Sequence, residues 1–104
     1  MLLTQQFPDH PFAWKVLGGI LYQAGKLSES LEAKLKAVEL SPQDAEAHSN
    51  LGGTLKDLGR LGDAEISYRQ ATALRPDFAA AHYNLGSTLQ ELGRLEGAEE
   101  SYKQ

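Results

Sequence analysis

The chain has no cysteine among its 104 residues. That absence removes a disulfide framework, a thiolate zinc site and a cysteine nucleophile together. Long apolar runs are missing too. The longest nearly unbroken one, Val16 to Tyr22, falls far short of the roughly 20 residues that a membrane-spanning helix needs. The opening residues Met1 to Gln6 have neither a basic stretch nor a small-residue cleavage site, so no export signal is read there. A cytoplasmic home without membrane attachment is expected. Nor is there an excess of positive charge: ten lysines and arginines against fourteen acidic residues leave a formal charge of −4. Nucleic-acid binding draws on clustered cations that release counterions from phosphates, so nucleic acid is not an expected partner. What remains, 41% apolar and 23% charged, is the composition of an ordinary globular domain.

What the sequence has in abundance is itself. Shifted by 34 residues, Ala45–Gln70 falls on Ala79–Gln104 with 17 of 26 pairs identical, including His48/His82, Asn50/Asn84 and Leu51-Gly52/Leu85-Gly86. The same shift upstream places Trp14, Leu17, Gly18, Leu21 and Gly25 on His48, Leu51, Gly52, Leu55 and Gly59. Pro8, Pro42 and Pro76 share one register. The units are 1–10, the tail of an earlier copy, then 11–44, 45–78 and a shortened 79–104.

Within a unit the apolar spacing is helical, as in Leu51, Leu55 and Leu58 or Leu85, Leu89 and Leu92. Gly25, Gly59 and Gly93 follow these stretches as expected C-caps, since glycine enters the left-handed conformation without steric cost. A second helix is predicted from near Ser28, Gly62 or Glu96, stopped at Leu40 or Leu74 by Pro42 or Pro76. Asp9, Asp44 and Asp77 are placed to cap the next helix. Gly18-Gly19 and Gly52-Gly53 lack the spacing of a phosphate loop and read as close helix contacts.

A 34-residue period with an aromatic, a Leu-Gly pair, a small residue, a second aromatic, an alanine and a proline resembles the tetratricopeptide repeat. Those places hold Trp14, Leu17-Gly18, Ser30, Lys34, Ala37 and Pro42, then His48, Leu51-Gly52, Ala64, Tyr68, Ala71 and Pro76. The third copy supplies His82, Leu85-Gly86, Ala98 and Tyr102. The resemblance implies an all-α, right-handed superhelical solenoid of antiparallel helix pairs, with units that bury their apolar stripes by stacking. Ser30 and Lys34 depart from the pattern, which predicts looser packing in the first pair. Ends cut within repeats predict a helical stub over Met1 to Gln6 and an apolar patch at the C-terminal end, a route to end-to-end self-association.

No constellation for catalysis stands out. His48 and His82 occupy equivalent places about 10 Å apart in a helix stack, too far to share one ion, and read as packed rings with a polar edge. His48 and Ser49 point about 100° apart on a helix, which rules out a base and nucleophile pair. Glu96, Glu99 and Glu100 read as a solvated face. Neither a metal nor a cofactor is expected, and this segment is not read as an enzyme.

The resemblance also implies that part of each first helix lines a concave surface. In the second copy that part is Glu46, Ser49, Asn50, Gly53, Lys56 and Asp57; in the third it is Ala80, Tyr83, Asn84, Ser87, Gln90 and Glu91. Asn50 and Asn84 carry both donors and an acceptor, matching an extended peptide backbone, at a cost in helix propensity. They are similar to the asparagine ladder of the repeat domain in peptide O-linked N-acetylglucosamine transferases, interrupted here by Val16. A repeated surface residue carried along by duplication is the alternative. A carboxylate clamp is matched only at Lys15 and Asn50, with Gly19, Ala80 and Asn84 at its other places, so an acidic C-terminus is a poor expected ligand. The expected function is a module binding a protein or peptide through Lys15, Ser49, Asn50, Lys56, Tyr83, Asn84, Ser87 and Gln90. A structural spacer, or the non-catalytic repeat region of a glycosyltransferase or other transferase, are the alternatives.

Overall fold

A computed structural model describes residues 2–103, with side chains over 3–93. The described residues form six helices and no strand: α1 Leu2–Gln6, α2 Pro11–Gln23, α3 Leu27–Leu40, α4 Ala45–Asp57, α5 Leu61–Leu74 and α6 Ala79–Lys103. Each packs on the next along an elongated body of 58 × 29 × 18 Å. The expected stub over Met1 to Gln6 is α1.

The turns inside the first two helix pairs follow from glycine. Gly25 and Gly59 have φ of +77° and +79°, and the amides just beyond them reach back to Leu21 and Leu55 carbonyls at 2.9 Å. That 6→1 bond with a left-handed glycine closes a Schellman motif. Gly93 does not repeat it. No positive φ is found there, and α6 continues to Lys103, so the expected second helix from near Glu96 does not separate. A glycine inside a helix costs only about 1 kcal/mol relative to alanine, so it permits a turn without enforcing one.

Proline fixes the turns between pairs, and one ring nitrogen seals each. Trp14 Nε1 donates to the Pro8 carbonyl at 2.8 Å, His48 Nε2 meets the Pro42 carbonyl at 2.9 Å, and His82 Nε2 meets that of Pro76 at 2.7 Å. A carbonyl only accepts, so both histidines carry the proton on Nε2. The recurrent place is therefore a clip across the turn; the ring is packed as expected at His48, half-buried at Trp14 and, contrary to the expectation, exposed at His82. Of the three aspartates, only Asp44 caps a helix, accepting from the Ala47 amide at 3.2 Å. Asp9 and Asp77 fall one residue early: His10 Nδ1 takes the capping role for α2, while Asp77 lies 4.0 Å from Arg75.

The core is Leu51, Leu55, Ala64, Tyr68, Ala71 and Ala81, with Leu31, Val38, Phe78 and Leu85 against it. A Cβ on Gly52 would stand 2.8 Å from the Tyr68 ring, so glycine there is what lets α4 and α5 close up. The first pair is just as tight, contrary to the expectation from Ser30 and Lys34. A Cβ on Gly18 would stand 2.8 Å from Lys34 Cγ, and Ser30 is fully buried with its hydroxyl donating to the Gly18 carbonyl at 2.7 Å. The aliphatic stem of lysine fills the space that the Tyr68 ring fills one repeat later.

Candidate functional site

The first helices of successive pairs stand side by side, joined by polar contacts. Between α2 and α4, Lys15 Nζ binds Asp44 at 2.9 Å and Glu46 at 3.1 Å, and the Tyr22 hydroxyl donates to the Asp57 carboxylate. Between α4 and α6, Lys56 Nζ donates to Ser87 Oγ at 2.7 Å and lies 3.6 Å from Glu91. Tyr22 and Lys56 are 34 residues apart in sequence, as are Asp57 and Glu91, so one contact recurs with different chemistry.

Behind this surface lies a buried polar knot. Lys34 Nζ donates to Thr54 Oγ1 at 2.7 Å and sits 4.4 Å over the Tyr22 ring. Burial pushes the Lys34 ammonium below its usual range, against the pull of Asp57. Tyr68 is pushed up to about 12, chiefly by burial, with the Asp57 charge adding to it. Burial would also lower Lys15, but the Asp44 and Glu46 carboxylates outweigh it and raise that ammonium overall. Asp44 feels burial in the opposite sense, and Lys15 with the Ala47 amide holds its carboxyl below the usual value.

Against this network the sequence-derived residues divide. Lys15, Lys56 and Ser87 are occupied in joining repeats. Ser49 is half-buried, while Gln90 is exposed and Tyr83 stands 78% exposed. Asn50 is exposed and Asn84 half-buried, and neither amide group bonds to any described residue. Asn84 gives only its backbone carbonyl, to Thr88 Oγ1 at 2.7 Å. Asn50, Gly53 and Asp57 follow i, i+3, i+7 spacing, as do Asn84, Ser87 and Glu91, so each asparagine shares a stripe with a residue that bridges repeats. Sequence reading missed the bridges themselves. Their signal was the pairing of Tyr22 with Asp57 and of Lys56 with Glu91 across the 34-residue shift. Among the described residues no three His, Asp or Glu side chains converge as a metal site, and no helix is long and apolar enough to cross a membrane. The glutamates Glu96, Glu99 and Glu100, and any apolar patch beyond Gly93, lie outside the described side chains.

Known proteins share this architecture. A mutant of MamA superposes with a TM-score of 0.77 at 29% identity, over 96% of this chain and 55% of that one. A mutant O-GlcNAc transferase from Thermobaculum terrenum gives a TM-score of 0.78 at 32% identity, over 83% of this chain and 16% of that one. The first TPR of Spaghetti (RPAP3), bound to an HSP90 peptide, gives 0.83 at 21% identity, over 88% of this chain and 75% of that one, a likeness of fold. The chain thus spans about half of the MamA structure and a small part of the transferase. No curated protein sequence matches it. The TPR-repeat family model matches residues 18–59 and again 54–93. With its 34-residue period, its glycine-closed helix pairs and these matches, the chain belongs to the tetratricopeptide-repeat family.

Proposed function

We propose that this protein-interaction module holds an extended peptide on the face formed by α2, α4 and α6, gripping its backbone through Asn50 and Asn84. The observation that carries the reading is the division of labour on that face. Its lysines, Tyr22 and Ser87 are committed to neighbouring repeats, whereas the two asparagine amides have no bond within the described residues. A primary amide pairs with both the N–H and the C=O of an extended chain, which favours binding with little regard to side chains. The structure of Spaghetti (RPAP3) with an HSP90 peptide shows a TPR unit serving as a peptide receptor. An acidic terminus is not the ligand proposed here, because Lys15 is already neutralised by Asp44 and Glu46.

The test is a peptide array probed with the protein and with an Asn50→Ala, Asn84→Ala variant, both shown by circular dichroism to be folded. Loss of signal in the variant is expected; equal signal from both proteins rejects the reading. A second reading, that these repeats belong to a larger glycosyltransferase, is favoured by the 32% identity to the Thermobaculum terrenum enzyme across 83% of the chain. The complete reading frame decides it.

A further inference from the structure

Resting on the peptide face proposed above, we infer that the Asp57 carboxylate takes a lysine or arginine side chain of the bound peptide. The preferred partner is then an extended peptide with a cation at one place. The charged side chains on the face formed by α2, α4 and α6 are Lys15, Glu46, Lys56, Asp57 and Glu91. All but one are matched: Lys15 lies 2.9 Å from Asp44 and 3.1 Å from Glu46, and Lys56 lies 3.6 Å from Glu91. Asp57 is exposed, and among the described residues its carboxylate meets only the neutral Tyr22 hydroxyl, from which it accepts. The buried Lys34 ammonium feels the Asp57 charge, but from beyond ion-pair distance.

That charge stands where local chemistry opposes it. Asp57 is the last residue of α4, and the free carbonyls of a helix C-terminus carry a partial negative charge that disfavours a carboxylate. An asparagine would accept from the Tyr22 hydroxyl without that cost. The counterpart one repeat earlier is the neutral Gln23, and one repeat later it is Glu91, whose charge Lys56 answers. Reach then sets the class of cation. Asn50 and Asp57 share one stripe of α4, about 10 Å apart along the helix. A backbone held at Asn50 spans that gap only through a long side chain, and lysine and arginine carry their charge at the end of such a stem. Tyr22 uses Oδ2 of the carboxylate, which leaves Oδ1 to the incoming cation. The formal charge of −4 on the whole chain draws a basic peptide toward the face.

Two serine- and threonine-rich peptides are compared by fluorescence anisotropy, one with a single central lysine and the other with acetyl-lysine in its place. The lysine peptide is expected to bind about fivefold more tightly at low salt, with the margin shrinking as salt is added. Asp57→Asn should abolish the margin and leave acetyl-lysine binding as it was. Glu46→Gln removes the same formal charge from a carboxylate that already shares Lys15, and it should keep the margin. Tyr22→Phe leaves the Asp57 carboxylate in place and should keep it too. Circular dichroism shows that each variant is folded. A margin absent from the native protein, surviving Asp57→Asn or lost equally in Glu46→Gln overturns the inference. A shift in melting temperature of Asp57→Asn with the margin untouched assigns the residue to the Tyr22 joint alone and equally overturns it. The Asn50→Ala, Asn84→Ala variant reads the underlying proposal separately, since it should weaken both peptides alike. Undiminished binding of both peptides by that variant rejects the peptide face, whereas asparagine-dependent binding without a margin rejects only the role of Asp57. Binding of neither peptide by the native protein rejects both.

Discussion

The first and second helix pairs reach the same spacing with opposite chemistry. In the second, Tyr68 is 1% exposed against Gly52 and Ala64 is fully buried. In the first, Lys34 is 8% exposed against Gly18 and Ser30 is fully buried. An aromatic ring fills its place by area alone, whereas lysine fills it with a stem and must then satisfy an ammonium. Thr54, the Tyr22 ring and Asp57 supply that satisfaction, and two of these three belong to the next repeat. The polar substitution therefore moves part of the first pair's stability into its joint with the second. What a repeat requires at this position is volume, and how the volume is solvated is settled by its neighbours.

The largest effect that would sharpen this contrast is truncation of the two fillers. Tyr68→Ala should cost about 4 kcal/mol, the range for a buried aromatic that leaves a cavity. Lys34→Ala should cost about 2 kcal/mol, because removing the stem also removes a charge that was costly to bury. Urea denaturation monitored by circular dichroism measures both, and equal costs would break the comparison.

A smaller effect tests whether the joint carries the lysine. Thr54→Val takes away the acceptor of a buried ammonium and should cost about 2 kcal/mol in the native background. In a Lys34→Met background, where volume is kept and charge removed, the same change should cost under about 0.5 kcal/mol. A Thr54→Val cost that is the same in both backgrounds would show that Lys34 does not depend on the second repeat.

The smallest effect concerns the joints themselves. Lys15, Asp44 and Glu46 tie the first joint, while their counterparts in the second, Ser49, Phe78 and Ala80, cannot form an ion pair. The folded state holds the Asp44 carboxyl below its ordinary 3.8, so the pair contributes fully above that pH and fades as the pH falls through the lowered value. Thermal melts should show an acid-side loss of about 0.5 kcal/mol that Asp44→Asn abolishes, since asparagine keeps the helix cap but not the charge. An unchanged acid slope in that variant would remove the distinction between the joints.

Much of the fold was legible because it is written in local chemistry. Left-handed glycines at Gly25 and Gly59, prolines that end helices, and leucines at helical spacing act over a few residues, so the period and the helix pairs follow from the sequence. Asn50 and Asn84 were legible as one place recurring after 34 residues, while their assignment to a peptide-holding face is what the resemblance to the tetratricopeptide repeat implies. Legibility failed where a local signal was permissive. Gly93 carries the same residue as Gly59 yet stays helical, because glycine allows a turn and only packing of a return helix selects it. Asp9 and Asp77 miss the capping position by one residue, a distinction that depends on where the helix starts.

From its sequence alone the protein was bound to be an array of stacked helix pairs, because the 34-residue pattern of glycine, proline and leucine leaves the chain few other ways to bury its apolar stripes. Only the tertiary structure decided that Lys34 could stand in for tyrosine, that Lys15 and Lys56 would be spent on holding repeats together, and that the Asn50 and Asn84 amides would meet no partner among the described residues. Those outcomes rest on groups that meet from different helices, and a charge or an amide takes its role from the partners that folding brings within hydrogen-bond reach.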